Sequence, residues 1–370
     1  MKKALTVGFA TAIAVMSAAA PAIAAESTAA DSWRPPQCTT VTGDGSVTFT
    51  RNQGKVLTPT SQRLQPVTYT TGMAVLDQPN TLLAMENNTL LSSVDAGCTW
   101  KARGEIKGRH VALVPAGGDR AYAWDLDGGV SLATPAGVTP LTSPGVDLAG
   151  FAVDRRDSDH VRVADDLGRL YDSTDGGHTW TPIGVPGPPQ GELTLVYTAA
   201  FDPSNVDHVV LGTMGTGAYA TFDGGRTWTK SAGLGPGNNV NVFSGVISPA
   251  ASDVVYVNGL NEAESNAGAP SQGRHIYKST DGGRNFTPVV DQDSKVTLPN
   301  GPVMAADPRD PGAVYFVFGT YYQGYGTDIY KYNSNSRNVS VAHNPYDRVT
   351  SIAFHPQVPG LMYLGLAEER

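Results

Sequence analysis

Carboxylates and tyrosines are concentrated in long polar segments of the second half of the sequence. The carboxylates are Glu192, Glu262, Glu264, Asp291 and Asp293, and the tyrosines are Tyr197, Tyr321, Tyr322 and Tyr325. Carboxylate oxygens accept hydrogen bonds and tyrosine rings offer flat apolar faces, a combination that suits a glycan or an extended peptide. Two carboxylates about 5 to 10 Å apart could also hydrolyse a glycosidic bond. These residue types therefore indicate either a binding surface or a glycoside hydrolase.

The sequence does not support a metal site, a serine-nucleophile site or a nucleic-acid-binding site. The seven histidines show no short ligand spacing, and no Gly-x-Ser-x-Gly motif is present. The repeated Asp-Gly-Gly strings offer one carboxylate each, whereas a calcium loop supplies several oxygens. The formal net charge is −8. Binding to the phosphate backbone of a nucleic acid requires clustered lysine and arginine, so this acidic composition does not favour it. We therefore expect no metal, no cofactor and no nucleic-acid partner.

A short motif of serine or threonine, aspartate, glycine and an aromatic residue recurs at one fixed spacing. Its four copies are Ser93, Asp95, Gly97 and Trp100; Ser173, Asp175, Gly177 and Trp180; Thr221, Asp223, Gly225 and Trp228; and Ser279, Asp281, Gly283 and Phe286. The aspartate can accept hydrogen bonds from backbone amides of its own turn, and the glycine supplies the positive φ that the turn needs. The aromatic residue begins the next strand and points into an apolar layer. We call these segments box turns and predict that each is a structural hairpin.

A second pair of predicted strands precedes each box turn. In "AAFDPSNVDHVVLGT" and "MAADPRDPGAVYFVFGT" an apolar strand meets Asp-Pro, turns, and resumes as a strand rich in valine. Each unit then holds four antiparallel strands, and such units recurring at about 40 to 50 residues are typical of the blades of a β-propeller. Three weaker copies of the motif, near Thr50, Asp125 and Tyr332, raise the predicted number of blades to seven.

The box turns resemble the Asp-box repeat, also called the bacterial neuraminidase repeat. Proteins with this repeat include sialidases, xyloglucan-specific glycosidases, sortilin-type receptors and photosystem II assembly factors. The resemblance covers essentially the whole chain that would remain after export. It implies an all-β propeller in which the box turns lie away from the active site, and it leaves the activity open because one fold hosts many functions.

The resemblance also bears on catalysis. A sialidase would need an arginine triad, a tyrosine nucleophile with a glutamate partner and an aspartate acid, and the usual Arg-Ile-Pro signature is missing here. The xyloglucan-specific relatives use two propellers with a cleft between them, and a single propeller lacks the second wall. We therefore expect a binding or scaffold module for a glycan or an extracellular protein. The alternative is a polysaccharide-degrading glycoside hydrolase, with a sialidase less favoured.

The N-terminal sequence predicts export. Two lysines precede an apolar run and a small-residue cleavage site near Ala24, so we interpret residues 1–24 as a signal peptide, residues 25–37 as a linker and residues 38–370 as one propeller. Cys38 and Cys98 are the two cysteines of the chain, and thiols in an oxidising compartment tend to pair, so we predict a disulfide. We expect a secreted monomer whose mature chain does not span a membrane.

The ring is predicted to close through the two ends of the chain. The last unit has only two strands before Arg370, so residues 46–59 should complete it beside residues 350–366. The predicted fold is thus a seven-bladed β-propeller of four-stranded antiparallel blades, closed by N-terminal strands so that no sheet edge is left open.

Strand alternation divides the connections between two rims. The box turns share one rim, which we call the box-turn rim, and the long polar segments share the other, which we call the long-loop rim. Because long loops on a rigid scaffold usually carry binding, the carboxylates and tyrosines named above are predicted to form one site on the long-loop rim. For residues 262–272, which are rich in Ala, Gly and Ser, a solvated loop is the alternative.

Overall fold

The computed structural model describes residues 32–43, 45–65, 68–187, 195–235, 239–319, 326–344 and 348–368. The strands within these ranges are β1 (Val47–Thr50), β2 (Thr68–Val75), β3 (Leu82–Glu86), β4 (Thr89–Ser93), β5 (Lys101–Glu105), β6 (Ala112–Pro115), β7 (Ala121–Trp124), β8 (Val130–Thr134), β9 (Gly137–Pro140), β10 (Leu148–Asp154), β11 (Asp157–Asp165), β12 (Leu170–Ser173), β13 (Thr181–Ile183), β14 (Val196–Asp202), β15 (Asn205–Thr213), β16 (Ala218–Thr221), β17 (Thr229–Lys230), β18 (Val240–Ile247), β19 (Val255–Asn261), β20 (Arg274–Ser279), β21 (Thr287–Asp291), β22 (Met304–Ala306), β23 (Ala313–Gly319), β24 (Thr327–Asn333), β25 (Asn338–Asn344), β26 (Arg348–Phe354) and β27 (Met362–Glu368). One helix, α1, spans Glu262–Asn266.

The predicted signal peptide, residues 1–24, lies outside the described residues. Among the residues that are described, no helix has the length and apolarity needed to cross a membrane.

Five groups of four consecutive strands form separate antiparallel sheets, which are the blades β6–β9, β10–β13, β14–β17, β18–β21 and β22–β25. Within a blade each strand pairs with the next in sequence, as Ala200 of β14 does with Val210 of β15. The second strand of a blade is covered on both faces, so it is a nearly continuous apolar run. In β15, for example, Val209, Val210 and Leu211 are all buried.

Apolar layers between adjacent blades hold the scaffold together. Val242 and Val257 of blade β18–β21 pack with Val210 of the preceding blade, and Phe286 of the last box turn joins the same layer. Full burial of an apolar side chain of this size stabilises a fold by about 1.5 to 3 kcal/mol. The first strands approach closely, because a Cβ on Gly150 would lie 2.3 Å from the carbonyl oxygen of Ala199.

The prediction of seven separate four-stranded blades is wrong. The structure has five such blades, and the remaining strands form one seven-stranded sheet of order β1-β27-β2-β3-β4-β5, with β26 also paired to β27. One edge of β27 pairs with β26. The other edge pairs with β1, where Val47 lies opposite Gly365, and then with the start of β2, where Thr68 lies opposite Glu368. The pairing of β1 with β27 agrees with the predicted closure by residues 46–59, but the spacing of motifs could not reveal that β2 also pairs with β27 and joins two predicted blades into one sheet.

The first strands of the successive groups form a closed ring. Each of β2, β6, β10, β14, β18, β22 and β26 contacts the next, and β26 contacts β2. These strands all run from the long-loop rim to the box-turn rim, so the turns that follow them converge around the axis of the ring.

Each box turn is held by hydrogen bonds that span at most four residues. Ser93 Oγ donates to Asp95 Oδ1 at 2.8 Å, the amide of Thr99 donates to the same oxygen at 2.8 Å, and the amide of Gly97 donates to Ser93 Oγ at 2.9 Å. The same three bonds recur in the copies that begin at Ser173, Thr221 and Ser279. Gly97 has a φ of 90°, a conformation that glycine adopts without steric cost.

Two of the weaker copies behave differently from each other. Near Thr50, Asn52 takes the place of the aspartate: the amide of Gly54 donates to Thr50 Oγ1 at 3.0 Å and that of Val56 donates to Asn52 Oδ1 at 2.9 Å. The copy near Asp125 instead connects β7 to β8 and lies on the long-loop rim. Counting it as a box turn is therefore wrong, because the same letters occur in a different connection.

The predicted disulfide between Cys38 and Cys98 is confirmed. It joins the segment before β1 to the connection between β4 and β5. Close by, the amide of Thr42 donates to the carbonyl oxygen of Cys98 at 2.8 Å, and Trp33 Nε1 donates to that of Leu76 at 3.2 Å. The N-terminal segment is therefore fastened to the sheet that contains β2–β5.

The substitution Asp95→Ala should lower the free energy of unfolding by about 1 to 3 kcal/mol, because the amides of Cys98 and Thr99 lose their acceptor. Asp95→Asn is the matched control and should cost less, since Asn52 already serves in the equivalent position. Urea titrations of both variants measure the difference. Equal stability of the alanine and asparagine variants would contradict the hydrogen-bonding role.

The same aspartate should make stability depend on pH. Burial raises the pKa of Asp95, but hydrogen bonds from Thr99 and Ser93 outweigh it and hold the pKa below its usual value. Its contribution is therefore present above the unfolded pKa of about 3.9 and is lost as the pH falls through the lower folded pKa. Repeating the titrations at acidic pH should narrow the gap between the wild type and Asp95→Ala.

Removing the disulfide with Cys38→Ser and Cys98→Ser should lower the free energy of unfolding by about 2 to 4 kcal/mol, because the unfolded chain regains freedom. Thermal unfolding with and without a reductant measures this. Reduction should lower the melting temperature of the wild type and leave that of the double variant unchanged. A wild type that is insensitive to reductant would show that the bridge does not constrain the unfolded chain.

Candidate functional site

The described members of the predicted site lie on the long-loop rim, at the strand ends opposite the box turns. Glu262 and Glu264 belong to α1, which connects β19 to β20, and Asp291 is the last residue of β21. Asp293 follows in the next connection, and Tyr197 lies at the start of β14. The other predicted residues, Glu192, Tyr321, Tyr322 and Tyr325, lie outside the described residues.

A buried histidine joins two of the predicted carboxylates. His275 Nδ1 lies 2.7 Å from Asp291 Oδ1, and His275 Nε2 lies 2.8 Å from Glu264 Oε2. His275 is 6% exposed, whereas the Asp291 side chain is 65% exposed. Each ring nitrogen of His275 thus lies within hydrogen-bond distance of a carboxylate oxygen. We call Glu264, His275 and Asp291 the His275 cluster.

A tyrosine supports the cluster from the apolar side. The rings of His275 and Tyr277 have their centroids 5.2 Å apart, and the Tyr277 hydroxyl donates to the carbonyl oxygen of Leu234 at 2.8 Å. Burial raises the pKa of Tyr277, and the charges of Glu264 and Asp291 raise it further. The phenol is therefore neutral at physiological pH and acts as a hydrogen-bond donor.

The helix α1 is fixed to its blade by polar contacts. Glu262 accepts hydrogen bonds from Asn239 and from Asn241, the latter at 2.8 Å. The Asn261 side chain caps the helix by accepting the amide of Glu264 at 3.2 Å. This part of the segment is thus an ordered element, unlike the solvated loop weighed as the alternative.

Asp293 shapes its own turn. Its Oδ1 accepts the amides of Lys295 at 2.7 Å and Val296 at 2.8 Å. Hydrogen bonds from these two amides lower the pKa of Asp293. The structure therefore gives Asp293 a local structural role in addition to its place on the predicted rim.

Tyr197 belongs to an exposed apolar patch. Its ring packs on Phe243 with centroids 5.2 Å apart, and the amide of Met214 donates to the carbonyl oxygen of Leu195 at 2.8 Å. The amide of Val196 bonds to Asp166, which brings Leu167 alongside. We call Leu167, Leu195, Tyr197 and Met214 the apolar patch; their exposed fractions are 50%, 38%, 37% and 41%. Adjacent exposed apolar side chains of this kind often mark an interaction surface.

Negative charge borders the apolar patch. Burial raises the pKa of Asp166, and the neighbouring charges of Asp165 and Asp147 raise it further. Within the described ranges no group of three or more His, Cys, Asp or Glu side chains could hold a metal ion. The rim therefore offers apolar contacts beside hydrogen-bond acceptors, which suits a ligand with both apolar and positively charged groups.

Sequence reasoning missed His275, Leu195 and Met214. His275 is the first residue of the predicted strand "HIYKST" and lies in β20, but its partners are 11 and 16 residues away, so no local spacing signals the cluster. Leu195 and Met214 flank valine-rich strands, and the sequence pattern predicts that apolar residues there are buried in the core. Only their position at the strand ends exposes them.

The arrangement of four-stranded antiparallel blades around a closed ring of first strands defines a β-propeller. No protein-family model matches the sequence. The chain belongs to the family of the dispase autolysis-inducing protein of Streptomyces mobaraensis, to which it is 46% identical over 362 residues, or 97% of this chain and 96% of that protein.

Solved structures support the fold at low sequence identity. A GH74 xyloglucanase from Xanthomonas campestris superposes with a TM-score of 0.52 at 16% identity, covering 74% of this chain and 47% of that one. YCF48 from Cyanidioschyzon merolae gives 0.54 at 13% identity, covering 82% and 97%. YCF48 bound to D1 peptide gives 0.51 at 12% identity, covering 90% and 100%. This chain thus spans less than half the length of the xyloglucanase, and these likenesses concern the fold alone.

The substitution His275→Ala should release α1, because Glu264 and Asp291 lose their shared hydrogen-bond partner. We expect faster amide hydrogen exchange in residues 262–274 and a loss of about 1 to 3 kcal/mol in the free energy of unfolding. His178→Ala is the control, since His178 is exposed on a box turn. Exchange rates in residues 262–274 that match those of the wild type would show that His275 does not hold the helix.

Proposed function

We propose that this chain is a secreted Asp-box β-propeller that binds a protease through its long-loop rim and induces the autolysis of that protease. The observation that carries the proposal is the 46% identity to the dispase autolysis-inducing protein, which extends over 97% of this chain and 96% of that protein.

Autolysis is the digestion of a protease by itself, and this indicates how an inducer would act. A protease that digests itself supplies the catalytic groups, so its inducer needs a binding surface and no hydrolytic residues of its own. The apolar patch, 37% to 50% exposed at each member, offers the contact area, and the His275 cluster with Glu262 offers acceptors beside it. Binding there would hold the protease in a form that a second protease molecule cleaves.

An extracellular location is part of the proposal. The N-terminal lysines, apolar run and small-residue site fit a signal peptide. The Cys38–Cys98 disulfide is typical of proteins that fold in oxidising compartments. The four box turns, with their shared hydrogen-bond pattern, support membership of the Asp-box group.

Incubation with purified dispase tests the proposal. Wild-type protein should accelerate the loss of intact dispase in a dose-dependent way, followed on gels and by residual proteolytic activity. Heat-inactivated dispase should stay intact, since the chain supplies no protease activity. An unchanged rate of dispase loss would refute the function.

Paired variants test the rim. Tyr197→Ala combined with Met214→Ala should raise the dose for half-maximal effect about tenfold or more, as truncated apolar anchors do. Val56→Ala combined with Val94→Ala is the matched control, because these valines are 65% and 60% exposed on the box-turn rim. Equal losses in both pairs would remove the long-loop rim from the proposal.

A polysaccharide-degrading glycoside hydrolase on the same rim is the alternative. The fold similarity to a GH74 xyloglucanase favours it, but Glu264 and Asp291 both bond to one imidazole, where a hydrolase needs an acid and a base facing the substrate. Release of reducing sugar from xyloglucan, abolished by Glu264→Gln or Asp291→Asn, would replace the binding proposal.

A further inference from the structure

A cavity opens at the end of the ring opposite the long-loop rim. Its volume is about 530 Å³, within the range of small-ligand sites. Its lining comes from the ends of first strands and from the turns that follow them, including Val75 at the end of β2, Arg155 after β10, Pro249 after β18 and Pro356 after β26. Because the first strands form a closed ring, this cavity is the mouth of the central channel, and we call it the channel mouth.

The channel mouth has an apolar wall and cationic side chains. Four of its lining residues are prolines, namely Pro115, Pro249, Pro308 and Pro356, and proline has no backbone N–H to offer a ligand. Among the described residues, Arg155 and Arg309 are the only ionisable ones in the lining. The chain has a net charge of −8, but the described lining of this cavity carries two arginines and no carboxylate. The channel mouth is therefore locally positive.

Neither arginine is neutralised by a carboxylate in the described part of the chain. Arg309 Nη2 donates to the carbonyl oxygens of His355 and Pro356, which fix the side chain but leave its charge. Arg155 is exposed and makes no hydrogen bond or ion pair to a described residue. Its neighbour Arg156, in contrast, pairs with Asp154 at 3.2 Å. Arg155 is thus a free guanidinium beside an apolar cavity.

We propose that the channel mouth binds the carboxyl terminus of a peptide that ends in an apolar residue. The terminal carboxylate pairs with Arg155 and Arg309, since guanidinium groups form strong charge-assisted hydrogen bonds to carboxylates. The last side chain packs against the prolines. A sugar acid fits less well, because the proline wall has few donors for hydroxyl groups and would leave them unpaired.

The last described residue of the chain, Glu368, pairs with Thr68 at the start of β2, which is on the long-loop rim. We assign the channel mouth to a ligand from another molecule. This proposal rests on the channel mouth alone and is independent of the partner proposed for the long-loop rim.

Fluorescence anisotropy with an N-terminally labelled tetrapeptide that ends in leucine tests the site. The free acid should bind about tenfold or more tightly than the same peptide with an amidated terminus, as expected for a hydrogen bond to a charged group. Arg155→Gln should remove that preference. Arg156→Gln should keep it, because it removes the same charge one residue away from a guanidinium already paired with Asp154.

Several outcomes would overturn the proposal: equal binding of acid and amide, no binding of either peptide, or equal losses in the two arginine variants. Inorganic phosphate that competes as strongly as the peptide acid would also overturn it, because the mouth would then be a general anion site. The melting temperature of Arg155→Gln should equal that of the wild type, which separates loss of binding from loss of fold, whereas Arg156→Gln loses its pair with Asp154 and should melt slightly lower.

Discussion

The hydrogen bonds between β27 and the two N-terminal strands β1 and β2 are the interaction on which the ring depends. They bring residues near position 47 beside residues near position 365, so that the last unit of the chain is covered on both faces like every other unit. Met362 and Leu364 are fully buried in the layer that forms there. Without this pairing, the layer would be open to water and each successive blade would lose the neighbour that braces it.

Closure of the ring also determines which surfaces remain accessible to a ligand. The blades pack through continuous apolar layers, and glycines such as Gly150 let the first strands approach within contact of the next backbone. The accessible polar surface therefore lies on the outer fourth strands, such as β5 and β25, and at the strand ends and their connections. Two such surfaces differ in chemistry: the long-loop rim presents carboxylates beside the apolar patch, and the channel mouth presents arginines among prolines. The two proposed binding surfaces thus lie on opposite sides of the ring and differ in charge.

Some residues of the candidate site could be predicted from the sequence, and others could not. Glu264 and Asp291 could be placed on one rim because strand alternation fixes which connections share a side. Their common partner, His275, could not be named, because it meets them only when α1 folds back over the start of β20. The apolar patch was equally hidden, since Leu195 and Met214 flank strands whose residues are otherwise core.

The sequence by itself determined the features that depend on neighbours close along the chain. The box turns form from bonds that span at most four residues, and the disulfide follows from the presence of two cysteines in the chain. Tertiary structure decided how many separate blades the strands make, because the unpredicted pairing of β27 with β2 joins residues about three hundred positions apart. It also decided that the motif near Asp125 lies on the other rim, and that Arg155 and Arg309 line one cavity, because both depend on which strand ends the closed ring brings together.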